Sequence, residues 1–398
     1  MKKRVLLLMS DTGGGHRAAA EAIRDGLYKK YGENRIEAEL LDVFRNSNFP
    51  MNYFPDFYPW VIRHSKKSWG VGYKMLNTRR RAAVLSRTMY LANRARFKEM
   101  VRENPVDVVV CVHSLIARPA LQAWLSFEQR PPFITVVTDL VSTHSTWYDK
   151  QADHTMVPTQ AAFDRGLRYG MPANKMSVTG LPVNPSFMET LKGKTQARDK
   201  LGWEQDKTTV LMVAGGDGMG PLWETARAIN ALEKDIQLVV IAGRNETLKS
   251  KLDKASWNQP THIYPFVRNM PELMDAADVI VTKAGPATIT EAAIAGLPMI
   301  LMDAIPGQED GNVTYVIEND AGAWAPEPAQ VASVLASWLD EGVSAMHQRA
   351  ENAQNIARPN AVYDIAETVM QWADHPPIDN PNINLWRRTR RRFASISR

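Results

Sequence analysis

The chain has 398 residues, of which 44% are hydrophobic and 23% charged, an ordinary globular composition with length for about two domains. No stretch approaches the roughly 20 consecutive apolar residues that would span a bilayer. The short apolar run behind Lys2, Lys3 and Arg4 enters a glycine turn, so it predicts a first strand and not a secretory signal. The single cysteine, Cys111, excludes an intramolecular disulfide framework and is compatible with a reducing cytosol.

The net charge of +5 conceals a strong asymmetry. Residues 57–102 hold twelve Lys or Arg against one acid, and residues 386–398 hold six Arg against none, so the remaining chain is acidic. Two basic segments on an acidic body predict a polyanionic partner, either nucleic acid or an anionic membrane surface. Aromatic residues interleave the first basic segment, which favours the membrane interface, while base stacking and simple burial in a core stay open as alternatives.

The first predicted strand, at 4–9, leads into a glycine turn and then into an alanine-rich helix predicted at 16–31. Glycines let the backbone approach a ligand closely, and a helix N-terminus offers free N–H groups to a phosphate. Gly14 and Gly15 are therefore predicted to bind an anion, with His16 as a titratable group at the mouth of the turn. The turn also loosely matches a dinucleotide-binding fingerprint, so a nicotinamide oxidoreductase stays open.

Apolar strand-like runs alternate with helical segments along the rest of the chain, which predicts an α/β fold with two doubly wound parallel sheets. A glycine and two prolines at 180–185 interrupt this pattern and predict the domain boundary. The predicted organisation is a first domain at 1–182, a second at 183–358, a helix at 359–373 that returns to the first domain, and a basic, weakly ordered tail at 374–398. A shared ligand would lie in the cleft outside the carboxyl ends of the strands.

Two further glycine turns follow strand-like runs in the second half, at 215–221 and 283–289. Both can aim backbone N–H groups at a diphosphate. In the second turn, Thr288 can add a hydroxyl, and Glu291 lies close enough to accept hydrogen bonds from a ribose diol. The alternative is that Thr288 and Glu291 form only a helix-capping box.

A polar loop at 306–312 brings together Gln308, Glu309 and Asn312 just after a predicted strand. Amide and carboxylate groups at such a place are suited to reading the hydroxyls of a sugar. A polar surface loop without a ligand is the alternative. Its position at the ligand-bearing edge of the sheet favours the sugar site.

Together these motifs resemble those of the monogalactosyldiacylglycerol synthase family, within the GT-B glycosyltransferases that include MurG and bacterial diacylglycerol glucosyltransferases. The resemblance covers about residues 4–372. It is carried by segments 9–17, 138–140, 144–147, 180–183, 215–221, 243–245, 283–286 and 307–312. It implies two Rossmann-like domains that face each other across a cleft, and an inverting transfer of galactose or glucose from a UDP-hexose to diacylglycerol.

The resemblance also implies roles for individual residues. His16 would be the general base, with Asp139 as an orienting or alternative base. Phe266 and Val267 would hold the uracil, Glu291 the ribose, and Gln308, Glu309 and Asn312 the hexose. The remaining implied contacts to the UDP-sugar are Gly14, Gly15, Gly215, Gly216, Gly218, Arg244, Gly285, Pro286, Ala287 and Thr288.

A diacylglycerol acceptor stays in the bilayer, so we expect a peripheral enzyme on the cytoplasmic face of an anionic membrane. The residues predicted for the acceptor and membrane surface are Trp60, Trp69, Arg79, Arg80, Arg81, His144 and Trp147. No Asp-x-Asp follows a strand, so neither an obligatory metal nor a cofactor is predicted, the UDP-sugar being a substrate. Nucleic acid is not an expected partner, and a different lipid acceptor, as in MurG, remains the closest alternative.

Overall fold

Two parallel sheets, each with helices on both faces, make up most of the computed structural model, which describes residues 2–12 and 14–380. The strands, in chain order, are β1 (Lys3–Met9), β2 (Ile36–Asp42), β3 (Val108–Cys111), β4 (Gln129–Arg130), β5 (Phe133–Val136), β6 (His154–Val157), β7 (Met176–Val178), β8 (Thr208–Val213), β9 (Ile236–Ile241), β10 (Thr261–Tyr264), β11 (Val279–Lys283), β12 (Met299–Asp303), β13 (Gly322–Trp324) and β14 (Ile378–Asp379). This arrangement confirms the predicted α/β fold with two Rossmann-like domains.

The helices alternate with these strands, as right-handed crossovers between parallel strands require. They are α1 (Gly15–Tyr31), α2 (Phe54–His64), α3 (Lys66–Leu76), α4 (Arg79–Ala92), α5 (Arg94–Glu103), α6 (Ser114–Trp124), α7 (Gln160–Arg168), α8 (Pro185–Thr190), α9 (Lys194–Leu201), α10 (Leu222–Asn230), α11 (Glu246–Asp253), α12 (Met270–Asp275), α13 (Pro286–Ile294), α14 (Asp310–Glu318), α15 (Pro328–Asp340), α16 (Val343–Asn355) and α17 (Ala361–Ala373).

The first sheet has the strand order β2-β1-β3-β5-β6-β7. Its central strands are nearly continuous apolar runs because helices cover both faces, and Leu7, Leu8 and Val110 are fully buried. Parallel pairing aligns the carboxyl ends of β1, β3 and β5 at one edge. The three loops that follow these strands therefore meet there.

The second sheet has the strand order β10-β9-β8-β11-β12-β13 and is likewise parallel throughout. Strands β8 and β11 are neighbours at its centre. The glycine turn after β8 and the turn into α13 after β11 consequently lie side by side. The carboxyl edges of the two sheets supply the loops that line the cleft.

The chain crosses between the two domains twice, at 179–185 and at 356–361. After the second crossing, α17 packs on α1 and contributes Ile365 and Val369 to the core of the first domain. The crossings lie against each other, since a Cβ on Gly180 would come within 2.8 Å of Arg358 and 2.7 Å of Ala361. Most of the predicted basic tail, residues 381–398, lies outside the described residues.

The aromatic and basic stretch of the first domain is helical. Helices α2 and α3 occupy it, and α4 and α5, which follow them, are divided at Asn93. The side chain of Asn93 accepts a hydrogen bond from the backbone of Asn48, which ties this break to the start of the stretch. No helix in the described part of the chain has both the length and the apolar character needed to cross a membrane.

Candidate functional site

The glycine turn after β1 leaves an open approach to the first turn of α1. Gly14 has φ +77° and begins the helix, a conformation that favours glycine over any residue with a Cβ. No described atom lies within 4 Å of the place where a Cβ would stand on Gly14 or Gly15. The backbone here is therefore accessible to a ligand of some size.

The imidazole of His16 is held in one tautomer. Its Nδ1 lies 2.8 Å from the carbonyl oxygen of Val112 and 3.0 Å from Oγ1 of Thr138. A carbonyl only accepts, so Nδ1 carries the proton and Nε2 keeps its lone pair. Nε2 makes no hydrogen bond to any described residue, which leaves it available as a base.

Burial keeps this imidazole neutral. The surrounding protein lowers the pKa of His16 to about 4, partly opposed by the hydrogen bond to Val112, although part of the side chain remains accessible from the cleft. The ring of His113 lies 4.2 Å away between centroids, and burial also lowers the pKa of His113 well below its usual range. Two neutral imidazoles therefore stand together at the edge of the first sheet.

Asp139 follows β5 at the same edge, and its carboxylate is buried. It accepts a 2.7 Å hydrogen bond from the indole Nε1 of Trp147. Burial, with a smaller contribution from the Glu309 carboxylate, raises the pKa of Asp139 to about 6, while donors on Trp147, His144 and Gln308 oppose the shift. Val112, and not Asp139, is the acceptor that holds the His16 ring among the described residues.

The second domain contains a cavity of about 150 Å³ at the carboxyl end of its sheet. Its walls include six residues predicted to bind the UDP-sugar: Gly215, Gly216, Phe266, Val267, Thr288 and Glu291. A larger recess of about 850 Å³ opens around Lys3 and Trp124. That recess lies at the amino-terminal edge of the first sheet, away from every motif, so we assign it no role in the site.

Glu291 is a carboxyl group without a partner. It faces the cavity and makes no hydrogen bond or ion pair to any residue the structure describes. Burial alone raises its pKa to about 7. The capping-box alternative does not hold, because α13 begins at Pro286 with Gly285 as its N-cap and with no side-chain cap. A carboxyl at the wall of a cavity that accepts no hydrogen bond from any described residue is typical of a ligand site.

The glycine turn after β8 is closely packed against the next strand. Gly215 and Gly218 have φ +69° and +56°, and a Cβ on Gly218 would lie 2.0 Å from the carbonyl oxygen of Ala242. Arg244 extends over the same turn, where it pairs with Asp217 at 2.8 Å and lies 4.9 Å above the Phe266 ring. On the neighbouring turn, Gly285, Pro286 and Ala287 form the start of α13.

Of the three residues predicted to bind the hexose, one is accessible and two are buried and hydrogen-bonded within the protein. Glu309 is 2% exposed, pairs with Lys283 at 2.8 Å and accepts a hydrogen bond from the backbone of Ile305. Asn312 donates to the carbonyl of Ala284 and accepts from the backbone N–H of Val141 in the first domain. Gln308 alone remains half-buried at the cleft. The polar groups of Glu309 and Asn312 are thus engaged by the protein.

Helix α3 spans the cleft and touches this loop. Lys66 pairs with Asp303, the indole Nε1 of Trp69 lies 3.3 Å from Oε1 of Gln308, and a Cβ on Gly70 would lie 2.9 Å from the carbonyl oxygen of Pro306. Trp69, predicted for the membrane surface, therefore lies between the two domains.

The other residues predicted for the membrane and acceptor surface fall into two groups. Trp60 is 54% exposed, and Arg79, Arg80 and Arg81 are exposed at the start of α4. His144 and Trp147 are instead buried beneath the cleft; burial lowers the pKa of His144 to about 4. The first group can meet a partner directly, whereas the second supports the loop that carries Asp139.

Sequence reasoning missed several residues at the site. His113 directly follows β3, and its position after a central strand is a signal that could have predicted it. Thr138 and the Val112 carbonyl, which orient His16, carry no sequence signal of that role. Tyr58 lies in the aromatic stretch, and the pKa of its phenol is raised by burial and by the Glu309 and Asp139 carboxylates.

Comparison with known families agrees with this geometry. Residues 16–183 match the monogalactosyldiacylglycerol (MGDG) synthase family, and residues 209–369 match the glycosyltransferase family 28 C-terminal domain. A rice protein (Oryza sativa subsp. japonica) described as probable monogalactosyldiacylglycerol synthase 2, chloroplastic, is 38% identical over 390 residues, covering 94% of this chain and 81% of that protein.

Solved structures share the fold at low sequence identity. The crystal structure of MurG from Acinetobacter baumannii superposes with a TM-score of 0.60 at 15% identity, covering 93% of this chain and 99% of that one. A crystal structure of Anabaena HepE in complex with UDP-glucose gives a TM-score of 0.53 at 14% identity, covering 93% and 98%. Both likenesses extend over the two domains.

Proposed function

This chain belongs to the monogalactosyldiacylglycerol synthase family, and we propose that it transfers a hexose from a UDP-sugar to the free hydroxyl of diacylglycerol, with inversion at the anomeric carbon. The observation that carries the proposal is the unpartnered carboxyl of Glu291 in a cavity of the second domain. Across the cleft from it lies the imidazole of His16, whose Nε2 makes no hydrogen bond within the described part of the chain. Donor and acceptor chemistry are thus divided between the domains.

The cavity suits a nucleoside. Phe266 and Val267 offer apolar contact to a base, and Glu291 can accept hydrogen bonds from the two ribose hydroxyls. The adjoining turns at Gly215 to Gly218 and at Gly285 supply backbone N–H groups and the positive end of α13 to a diphosphate. We therefore assign the UDP-sugar to the second domain.

The proposed reaction is a single displacement. The lipid hydroxyl oxygen forms a bond to the anomeric carbon as the bond from that carbon to the diphosphate oxygen breaks. The hydroxyl proton goes to a base of the first domain, and the electron pair of the broken bond leaves with UDP. The N–H groups of the two turns stabilise the charge that develops on the diphosphate, so the scheme uses no metal.

We assign the base to His16. Its Nε2 lone pair is free, whereas the Asp139 carboxylate already accepts from Trp147. Asp139 has its raised pKa nearer to neutral pH and is the competing candidate. With His16 as the base, the negative charge of Asp139 would stabilise the imidazolium that forms when His16 takes the proton.

The acceptor remains in a membrane, so the enzyme must bind there. Apolar side chains exposed around α2 and α3 include Phe49, Phe57, Trp60, Val71 and Met75, and Arg79, Arg80 and Arg81 continue the surface on α4. Apolar and aromatic groups flanked by arginine suit the headgroup region of an anionic bilayer. This surface would present the cleft to the lipid.

Product analysis tests the proposal. Purified enzyme is incubated with diacylglycerol in anionic vesicles and with UDP-galactose or UDP-glucose, and lipids are analysed by mass spectrometry, with proton NMR to establish the anomeric configuration. We expect a β-monoglycosyldiacylglycerol, and the comparison of the two donors identifies the hexose. Absence of glycolipid with both donors, combined with turnover of a different lipid acceptor, would refute the assignment of diacylglycerol.

A further inference from the structure

One face of α3 is built to hold the loop that carries Gln308. The face is a single helical stripe formed by Lys66, Trp69, Gly70 and Tyr73. Their contact partners are Asp303, Gln308, Pro306 and Ser142, respectively. Tyr73 donates its hydroxyl proton to the carbonyl of Ser142 at 2.8 Å. The stripe thus ties a helix of the first domain to the loops on both sides of the cleft.

The contact between Gly70 and Pro306 brings the two backbones together. A Cβ on Gly70 would lie 2.9 Å from the Pro306 carbonyl oxygen, so only glycine permits this approach. The approach places the indole of Trp69 against the side chain of Gln308. Tyr58, whose ring centroid lies 5.0 Å from that of Trp69, supports the indole from α2.

The hydrogen bond between Trp69 and Gln308 has only one possible direction. The indole Nε1–H can only donate, so it must meet the side-chain oxygen of Gln308. The amide nitrogen of Gln308 then points away from the indole, and a donor on Gln308 is among the groups that oppose the rise in the pKa of Asp139. The hydrogen bond to Trp69 therefore fixes which end of the Gln308 amide is left as the donor end.

We propose that Trp69 is a positioning residue for the sugar: its indole N–H fixes the orientation of the Gln308 amide, so that the donor end of the amide faces the cleft between the domains. The inference rests on the proposed function, since it takes the hexose of the UDP-sugar as the ligand of Gln308. Glu309 and Asn312 are already engaged by the protein. The orientation of Gln308 therefore decides what the loop offers to a hexose hydroxyl.

The first experiment is Trp69→Phe, which keeps an aromatic ring on α3 and removes only the N–H donor. Calorimetric titration of the full-length protein compares UDP-galactose and UDP-glucose with UDP alone. We expect affinity for the hexose donor to fall about tenfold, the usual effect of losing one oriented hydrogen bond, and affinity for UDP to be unchanged. Trp324→Phe, on an edge strand of the second domain, is the matched control and should bind both ligands as wild type does.

A second variant separates orientation from packing. If Trp69 acts through Gln308, then Trp69→Phe has no further effect on binding of the UDP-hexose in a Gln308→Ala background. Equal weakening in both backgrounds, or equal weakening of UDP and the UDP-hexose, would mean that Trp69 only supports the fold, and would overturn the inference. Wild-type protein that binds the UDP-hexose no more tightly than UDP would overturn it as well.

The pH profile gives an independent readout. The groups that face Asp139 are the Glu309 carboxylate and the phenols of Tyr58, Tyr73 and Tyr148. Releasing Gln308 removes a donor to the Asp139 carboxylate, so its pKa rises. In Trp69→Phe the acid limb of kcat/KM should move to higher pH, whereas an unmoved limb contradicts the relay through Gln308. If wild type makes no glycolipid, the proposed function fails, and the binding comparison still decides the role of Trp69.

Discussion

The two sides of the cleft differ in how their titratable groups are satisfied. On the first domain, His16 is already oriented by Val112 and Thr138, and Asp139 by Trp147. On the second domain, Glu291 faces its cavity without a partner among the residues that the structure describes. Burial favours the neutral form on both sides, since it lowers the pKa of the imidazole and raises that of each carboxyl. The protein itself orients the titratable groups of the first domain, whereas the carboxyl of Glu291 in the second domain is available to accept hydrogen bonds from a ligand.

The largest effect should come from removing the oriented imidazole. His16→Ala eliminates the proposed base, so we expect kcat to fall about 10²- to 10⁴-fold, with little change in UDP affinity because the nucleotide lies on the opposite domain. Steady-state kinetics and UDP titration measure the two quantities. His347→Ala, an exposed histidine on α16, is the control. A variant that retains full kcat would move the base assignment to Asp139.

The basic surface next to the cleft should give the second largest effect, on membrane binding. Reversing Arg79, Arg80 and Arg81 to Glu removes three attractive charges, each contributing on the order of 1 kcal/mol near an anionic bilayer. We expect flotation with anionic vesicles to weaken at least a hundredfold, while association with zwitterionic vesicles matches that of wild type. Unchanged binding to anionic vesicles would refute the assignment of this surface.

Asp139→Asn tests, through the pH dependence of kcat/KM, the role of the second titratable group in the first domain. The pKa of Asp139 is about 6, so the ionised form predominates above that value and kcat/KM should fall as pH drops through it. Asparagine cannot ionise. The variant should therefore lose that acid limb and retain about a tenth to a hundredth of the activity at pH 8. An acid limb that persists near pH 6 in the variant would assign it to another group.

Glu291→Gln tests the role of the Glu291 carboxyl in the second domain. The folded pKa of about 7 lies above the ordinary value of 4.5 for a glutamate, so the contribution of this group to stability is complete below about pH 4.5 and is lost as pH rises toward 7. Glutamine carries no charge to bury. The variant should be more stable than wild type by about 1 to 3 kcal/mol at pH 8 and equal at pH 4, as measured by urea unfolding.

The same variant should bind UDP about tenfold more weakly, because it loses a charged acceptor for the ribose hydroxyls. Glu318→Gln, at an exposed position on α14, should change neither property. A loss of stability at pH 8 would mean that Glu291 has a structural partner after all, and an unchanged UDP affinity would place the ribose elsewhere. Gained stability together with lost binding is the signature of a residue retained for its ligand.

The sequence predicted the sheets because their signals are local. Apolar runs such as 209–214 identify strands, and the glycines after them identify turns, because both patterns can be recognised within a short stretch of sequence. Helices α2 and α3 were not predicted, because aromatics, glycines and prolines obscure their period. Their helical form is stabilised by contacts such as Gly70 against Pro306, which join residues more than 200 positions apart.

The candidate site was predicted in part for the same reason. Glu291 and His16 follow motifs at strand ends, and the cavity and the cleft hold them as expected from parallel topology. Glu309 and Asn312 were predicted as sugar ligands from their residue type, from the position of their loop after a strand and from the family resemblance. Their partners, Lys283 and the backbone of Val141, lie far away in the sequence, so their engagement could not be read from the loop itself.

The return of α17 to the first domain has a consequence for any attempt to divide this protein. A fragment that stops at the first crossing, near residue 182, would lack Ile365 and Val369 and would expose the apolar face of α1 that they cover. The core of the first domain is therefore assembled from two separate stretches of the sequence, residues before the first crossing and residues of α17. The adjacent crossings at Gly180 and Arg358 also bring both covalent links between the halves to one place.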